Sequence, residues 1–251
     1  LGSGGDFTVN SGPFVGARGG SEYWSRSAFF TSLSTYMRLS SPLSNSKTLT
    51  LACSIQKPSS GDGGVLDVFT AGDGDSKIRL LHNPVSGSFL ILGRNSSDTI
   101  IFNASVTGGV GSNGWNTLLI SFDLTSSAKR SATINGAGSV SWETFTNDTV
   151  NLARDLTIGL GDTNATAANG NIGFVYMTTD YVDLTQESNR NKFIDQLGYP
   201  KDLTQQIEDG DIPNPTVYMK FDDTAALGTN SGSGGNFTIT GTVTAGSDFS
   251  I

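Results

Sequence analysis

The chain is 251 residues long, and glycine, serine and threonine occupy 92 of those positions, a composition that favours short strands joined by tight turns and excludes an all-helical fold. Its formal net charge of -8 disfavours binding to nucleic acid or to anionic lipid. A single cysteine excludes a disulfide scaffold, and no apolar run approaches the ~20 residues that span a bilayer, so neither nucleic acid nor a membrane is expected as a partner.

The predicted strands follow from a two-residue alternation of apolar and polar side chains. The clearest strand is 48–56, where Leu49, Leu51, Cys53 and Ile55 share one face. Further strands are predicted at 36–40, 65–69, 77–82, 88–92, 99–104, 115–124, 130–134, 156–160, 172–178 and 217–221. Short strands at such intervals predict an all-β sandwich or barrel.

Two connections carry further signals. Asn135 and Gly136 accept the positive φ angles of a two-residue hairpin turn, so the strands on either side are predicted to pair antiparallel. One short helix is predicted over 186–197, capped by Asp183 or Thr185 and stopped by Gly198, with Phe193, Ile194 and Leu197 on one apolar stripe.

The two ends of the chain contain a repeat. Residues 2–9 read GSGGDFTV and residues 232–239 read GSGGNFTI, with six of eight positions identical at a constant offset of 230. Either the chain is one unit of a tandem array, or two similar strands belong to one domain. The second arrangement is preferred, because only one full set of strands lies between the segments. It makes 1–251 a single domain with similar Gly-rich terminal segments at 1–12 and 231–243.

The order of several motifs resembles a known family. The motifs are YMRL at 36–39, the strand at 49–56, the region 77–93, GWN at 114–116 running into ISFD at 120–123, and NIGFVY at 171–176. Together they resemble the concanavalin A-like lectin/glucanase superfamily in its laminin-G-like branch. VYMKFD at 217–222, followed by the Gly/Ser run and Phe237-Thr238, resembles the terminal strand pair of such domains in bacteriophage structural proteins. The resemblance implies two antiparallel sheets in a jelly roll that serves adhesion, glycan binding or virion surfaces.

Catalysis is not expected. Retaining glucanases of the superfamily use a Glu-x-Asp-x-x-Glu strand motif, because their two carboxyl groups must lie roughly 5 to 5.5 Å apart. The sequence lacks this motif, and Glu143 has no carboxylate two or four residues away. His82, the only histidine, is predicted to be a structural side chain at a sheet edge, on the face of Ile78 and Leu80. Cys53 lies on an apolar strand face and is predicted to be unreactive. No catalytic residue is therefore predicted, and the protein is not expected to be an enzyme.

Two pairs of residues are candidates for binding. Asp73 and Asp75 place carboxylates on a Gly-containing loop, which suits a calcium ion, although such turns also occur simply as solvated loops. No cofactor is expected, apart from a calcium ion at this pair. Tyr23 and Trp24 are candidates to stack on sugar rings, and the alternative is that they cover a sheet edge.

Two functions follow as hypotheses. The first is a non-enzymatic structural or decoration module of a bacteriophage capsid, tail or fibre, which contacts other virion proteins or copies of itself. The alternative is a carbohydrate-binding lectin or adhesin domain that binds surface glycans, with or without calcium. Both predict a location on a virion or at an extracellular surface.

Overall fold

The computed structural model describes residues 27–30, 35–56, 66–71, 77–83, 88–108, 114–159 and 170–246. The strands are β1 Ala28–Phe30, β2 Tyr36–Leu39, β3 Thr48–Gln56, β4 Leu66–Ala71, β5 Ile78–Asn83, β6 Ser88–Arg94, β7 Ile100–Thr107, β8 Trp115–Asp123, β9 Arg130–Ile134, β10 Ser139–Phe145, β11 Leu156–Ile158, β12 Gly170–Thr178, β13 Val217–Met219, β14 Thr238–Thr240 and β15 Thr244–Ala245. The helices are α1 Glu187–Phe193 and α2 Thr204–Glu208.

These strands form two antiparallel sheets that stack face to face. The seven-stranded sheet has the order β15-β1-β12-β3-β8-β9, and β13 also pairs with β12. The eight-stranded sheet has the order β10-β7-β6-β5-β4-β11-β2-β14. The predicted all-β jelly-roll sandwich is confirmed. Strands β1, β14 and β15 lie outside the segments predicted from alternation, because each is only two or three residues long.

The main core lies between the two sheets and is built by the predicted alternation. In β3, Leu49, Leu51, Cys53 and Ile55 are all buried in it. The facing sheet contributes side chains such as Phe102 on β7, whose ring centroid lies 4.4 Å from that of Phe122 on β8. Burial raises the pKa of the Cys53 thiol to about 12, so this cysteine is a small apolar side chain, as predicted.

A second core covers the outer face of the seven-stranded sheet. Phe174 and Tyr176 on β12 and Trp115 on β8 point outward from this sheet, and Phe193 of α1 packs on them. The rest of this cluster comes largely from the segment 182–212. Strands β8 and β12 are consequently buried at every residue, whereas a sheet with one solvated face would alternate.

The predicted helix at 186–197 is shorter than expected, and a second helix follows it. α1 ends at Phe193, because Ile194 is extended and forms a β-bridge with Pro200. Asp183 Oδ1 accepts bonds from the backbone N and hydroxyl of Thr185 before the helix, but α1 itself starts after Gln186, which makes no side-chain cap. Leu197, expected on the buried stripe, is 73% exposed.

The turn at Asn135 and Gly136 is confirmed, but the hairpin is wrong. Both residues have positive φ, of 53° and 76°, and Ile134 bridges Ala137 across the turn. The strands then separate, since β9 pairs with β8 and β10 pairs with β7 in the other sheet. Gly138, with φ of 98°, lies where a Cβ would be 2.5 Å from the carbonyl oxygen of Thr107. The turn therefore passes the chain from one sheet to the other.

The carboxylate of Asp123, the last residue of β8, makes the stability of the fold depend on pH. Thr125 donates to Asp123 Oδ1 from its backbone N at 3.0 Å and its hydroxyl at 2.6 Å, and Lys129 Nζ donates to Oδ2 at 2.9 Å. The hydroxyl bond from Thr125, then the bond from Lys129, lower the pKa of Asp123 from 3.8 to about 2.

Because the folded pKa of Asp123 lies below the unfolded one, the stability that these bonds contribute is present above about pH 4 and is lost as the pH falls towards 2. We expect Asp123→Asn to be less stable than the wild type at pH 7, and the difference to shrink between pH 4 and pH 2. Urea unfolding across this range measures it. A difference that stays constant with pH would contradict the expectation.

Candidate functional site

The outer face of the eight-stranded sheet carries two parallel rows of polar side chains. On β7, Asn103 and Ser105 are half-buried and Thr107 is exposed; on the edge strand β10, Ser139, Ser141 and Glu143 are all exposed. These six residues point away from the core, because their neighbours Ala104, Val106, Val140 and Trp142 contact it. We call the six residues the polar ladder.

Hydrogen bonds across the two strands order the ladder at both ends. Asn103 Nδ2 donates to Glu143 Oε2 at 2.8 Å, and the hydroxyls of Thr107 and Ser139 lie 2.8 Å apart. Between these pairs, Ser105 is directly opposite Ser141. A register shift between Trp142 and Thr144 inserts Glu143 as an extra residue, which turns its carboxylate towards Asn103 on the outer face.

An apolar strip runs beside the ladder. Leu90 and Leu92 of β6 are half-buried on the same face, and they pair in register with Ser105 and Asn103. On the next strand, Leu92 is opposite Arg79 of β5. We call Leu90 and Leu92 the leucine strip. The surface thus combines the hydroxyl, amide and carboxylate groups of the ladder with the adjacent leucine strip. Arg79 borders the leucine strip on its other side.

Two aromatic residues of β10 have a structural role. Trp142 and Phe145 are half-buried against the main core, with ring centroids 5.6 Å apart in an edge-to-face arrangement. The guanidinium carbon of Arg130 lies 5.3 Å from the Trp142 ring centroid and 4.8 Å from that of Phe145. Because Arg130 belongs to β9, these contacts close the gap between the two edge strands.

None of the sequence-predicted binding residues can be placed at this surface. Tyr23, Trp24, Asp73 and Asp75 all lie outside the described residues. Within the described ranges, no group of three or more histidine, cysteine, aspartate or glutamate side chains could hold a metal ion. No helix in this described part is long and apolar enough to cross a membrane.

His82 lies inside the molecule, away from the ladder. It is 1% exposed, and its ring centroid is 4.7 Å from that of Phe89. Its strand β5 lies between β4 and β6, so the expected position at a sheet edge is wrong. The prediction that it shares a face with Ile78 and Leu80 agrees with their common burial.

Sequence reasoning missed the polar ladder. The alternating polar residues at 103, 105 and 107 and at 139, 141 and 143 were a usable signal, since one solvated sheet face produces this period. The pairing of β7 with β10 could not be predicted from sequence. The chain between these two strands forms β8 and β9, which belong to the other sheet.

No protein-family model matches this chain, and no curated protein matches it either. Solved structures do share its fold. A heptameric SAP-like pentraxin from Limulus polyphemus is similar with a TM-score of 0.55 and 9% identity, over 90% of this chain and 96% of the pentraxin chain. A putative carbohydrate binding protein from Bacteroides ovatus ATCC 8483 is similar with a TM-score of 0.60 and 14% identity, over 91% of this chain and 61% of that protein.

The fold shared with these structures is an antiparallel jelly-roll β-sandwich. A third structure with this jelly roll is the binding domain of botulinum neurotoxin serotype G, with a TM-score of 0.50 and 14% identity, over 69% of this chain and 45% of the toxin chain. At these identities the likeness concerns the jelly roll alone. One of these three proteins is described as a putative carbohydrate binding protein, and none is described as a virion component.

Proposed function

We propose that this jelly roll is a non-enzymatic carbohydrate-binding domain whose glycan site is the polar ladder with the leucine strip. The observation that carries the proposal is the contrast between the two outer faces. The second core covers the outer face of the seven-stranded sheet, whereas the eight-stranded sheet presents exposed hydrogen-bonding groups on β10. Among the described residues, no second layer covers this outer face of the eight-stranded sheet, and a solvated sheet face is accessible to a ligand.

The chemistry of this surface suits a sugar. A pyranose ring presents hydroxyl groups at its edge and C–H groups on its face, so it matches a polar row beside an apolar one. Ser105, Ser141 and Glu143 offer hydroxyl and carboxylate oxygens, and Leu90 and Leu92 supply the apolar contact. The net charge of -8 disfavours polyanions, so the proposed ligands are neutral glycans.

The number of carboxylates in the ladder agrees with binding and not with hydrolysis. The ladder contains one carboxylate, Glu143, which is exposed and is bonded to Asn103. Glycoside hydrolysis normally needs two carboxyl groups on either side of the scissile bond. We therefore expect no release of reducing sugar from any glycan that binds.

Location and partners follow from the same proposal. A glycan-binding domain would act at an extracellular or particle surface, where glycans are met. The predicted virion module remains a prediction, and the fold shared with a putative carbohydrate binding protein favours the lectin alternative.

A glycan array with neutral and anionic glycans tests the site. We expect wild-type binding to neutral glycans, and at least a tenfold loss for Ser141→Arg, equivalent to about 1.4 kcal/mol, because the long cation obstructs the middle of the ladder. Ser188→Arg is the matched control. It makes the same substitution at an exposed position on α1, which covers the other sheet, and it should bind like the wild type.

Failure to bind any glycan, or an equal loss in both variants, would contradict the proposal. Repeating the array in EDTA separates the ladder from a calcium site. Binding through the ladder should persist, whereas loss of binding would point to the predicted ligands Asp73 and Asp75.

A further inference from the structure

Glu143 is the one charged residue of the polar ladder, and the fold fixes its position. The register shift between Trp142 and Thr144 turns it to the outer face, where Asn103 Nδ2 donates to its Oε2 at 2.8 Å. Its Oε1 has no hydrogen-bond or ion-pair partner among the described residues. Because Glu143 is also exposed, the ladder offers a ligand one negatively charged oxygen at a defined place.

Basic residues on β6 and β9 contact other groups. Arg94 Nη1 on β6 donates to the carbonyl oxygen of Asp98 at 2.9 Å, and the guanidinium group of Arg130 on β9 lies over two aromatic rings of β10. None of the ion pairs in the described part of the chain includes Glu143. The carboxylate therefore keeps its full charge, and the net charge of -8 adds to the negative potential around it.

The apolar contact for a sugar ring lies one strand away from this carboxylate. Leu92 on β6 pairs in register with Asn103 on β7, and adjacent strands are ~4.8 Å apart. Because the Glu143 carboxylate is bonded to Asn103, it lies beside Leu92 on the same sheet face. A sugar ring whose C–H face contacts Leu92 would therefore hold a substituent of its edge within reach of the carboxylate.

A structural role for this charge is the alternative explanation. Charged side chains on edge strands keep separate sheets from pairing edge to edge. Glu143 belongs to the edge strand β10, but its carboxylate bonds to Asn103 on β7, away from the edge at which no described strand pairs with β10. Its position suits the recognition of a ligand on the sheet face better than the protection of the edge.

We infer that the ladder prefers glycans with a free amine, and that Glu143 is the residue that selects them. A hexosamine without an N-acetyl group carries a protonated amine at the edge of its ring. This amine can donate to Glu143 Oε1 and pair with its charge. The inference rests on the proposed glycan site, and it extends the ligands of that site from neutral glycans to cationic ones.

Two tetrasaccharides that differ at one substituent of each ring test the inference. Cellotetraose carries a hydroxyl group at the second carbon, whereas the tetramer of glucosamine with the same linkage carries a protonated amine there in slightly acidic buffer. Isothermal titration calorimetry gives the ratio of their affinities. We expect the wild type to bind the glucosamine tetramer about fivefold more tightly, which is the effect of an exposed ion pair. At physiological ionic strength, charges beyond ~8 Å are largely screened, so distant carboxylates contribute little to this ratio.

Two variants identify the carboxylate responsible. Glu143→Gln should lower the ratio to less than about twofold, because glutamine keeps an oxygen acceptor for Asn103 but carries no charge. Glu187→Gln is the matched control. It removes the same charge from an exposed position on α1, which covers the other sheet, so the ratio should stay at about fivefold.

An unchanged ratio in Glu143→Gln, an equal fall in Glu187→Gln, or a wild-type ratio near one would overturn the inference. The proposed function can fail separately. If the wild type binds cellotetraose or another neutral glycan but not the glucosamine tetramer, the inference is wrong and the glycan site stands. If the wild type binds no glycan at all, both are wrong.

Discussion

Replacing Asn230 with aspartate should destabilise the domain by roughly 3 to 5 kcal/mol, although the two side chains have nearly the same shape. The amide donates to the buried carbonyl oxygens of Thr216 and Gly235 at 3.0 and 2.8 Å. A carboxylate cannot donate these bonds, and it would place a negative charge against two oxygen atoms. The bonds that Tyr218 N and Gly232 N donate to the side-chain oxygen would remain. The loss of stability therefore measures the two bonds that the amide donates.

Urea unfolding monitored by tryptophan fluorescence measures this loss. Asn236→Asp is the matched control, because Asn236 is exposed and bonds Asn230 only through its Oδ1 acceptor, which aspartate retains. We expect the control to fall within ~0.5 kcal/mol of the wild type. Equal losses in the two variants would contradict a specific role for the two bonds that the Asn230 amide donates to Thr216 and Gly235.

Truncating Phe193 to alanine should cost about 3 to 5 kcal/mol, because it opens a cavity in the second core. Phe193 is fully buried, and its ring meets that of Tyr176 edge-to-face with centroids 5.2 Å apart. The same core includes Trp115 and Leu119, which lie on the outer face of β8. Loss of this side chain therefore loosens the layer that covers the seven-stranded sheet.

Leu197→Ala is the matched control for this prediction. Leu197 lies four residues further along the chain but is 73% exposed, so its truncation should change the unfolding free energy by less than ~0.5 kcal/mol. Thermal unfolding of both variants measures the contrast. If Phe193→Ala were as mild as Leu197→Ala, the second core would contribute little to folding.

The hydrogen bonds of Tyr218 add a polar anchor to the second core. Its hydroxyl accepts from Leu203 N at 2.7 Å and donates to Asp202 Oδ1 at 3.0 Å. Burial raises the pKa of Tyr218, and the neighbouring charge of Asp202 adds to this effect. Burial opposes the shift at Asp202, but the bonds from Thr204 and Tyr218 outweigh it and lower the pKa of Asp202. The hydroxyl therefore stays protonated and keeps donating.

The strands could be predicted where one face of a sheet meets the main core. The boundaries predicted for β3 and β9 are those observed, because the alternation there is uninterrupted. The helix at α1 was predicted too long, since the apolar Leu197 suggested a stripe that the bend at Ile194 interrupts. Which strands become neighbours depends on contacts distant in sequence, and local periodicity does not encode them.

The candidate site shows the same limit. Asn103 and Glu143 are 40 residues apart, and their hydrogen bond depends on the register of β7 and β10 and on one inserted residue. The aromatic and acidic residues predicted to bind a ligand have side chains of distinctive chemistry. The ladder consists mostly of serine and threonine, which are common throughout this sequence. Their significance comes from their alignment on a sheet face that no other described element covers.

The chemical inertness of Cys53 has a practical consequence for studying this protein. It is the only cysteine in the sequence, it is 1% exposed, and its thiol has a pKa of about 12. A maleimide applied to the native protein near neutral pH should therefore modify only a cysteine introduced on the surface, such as at Ser188, with no need to remove the natural one. The same shielding makes Cys53 a built-in reporter: its rate of alkylation measures how often the interior opens to solvent.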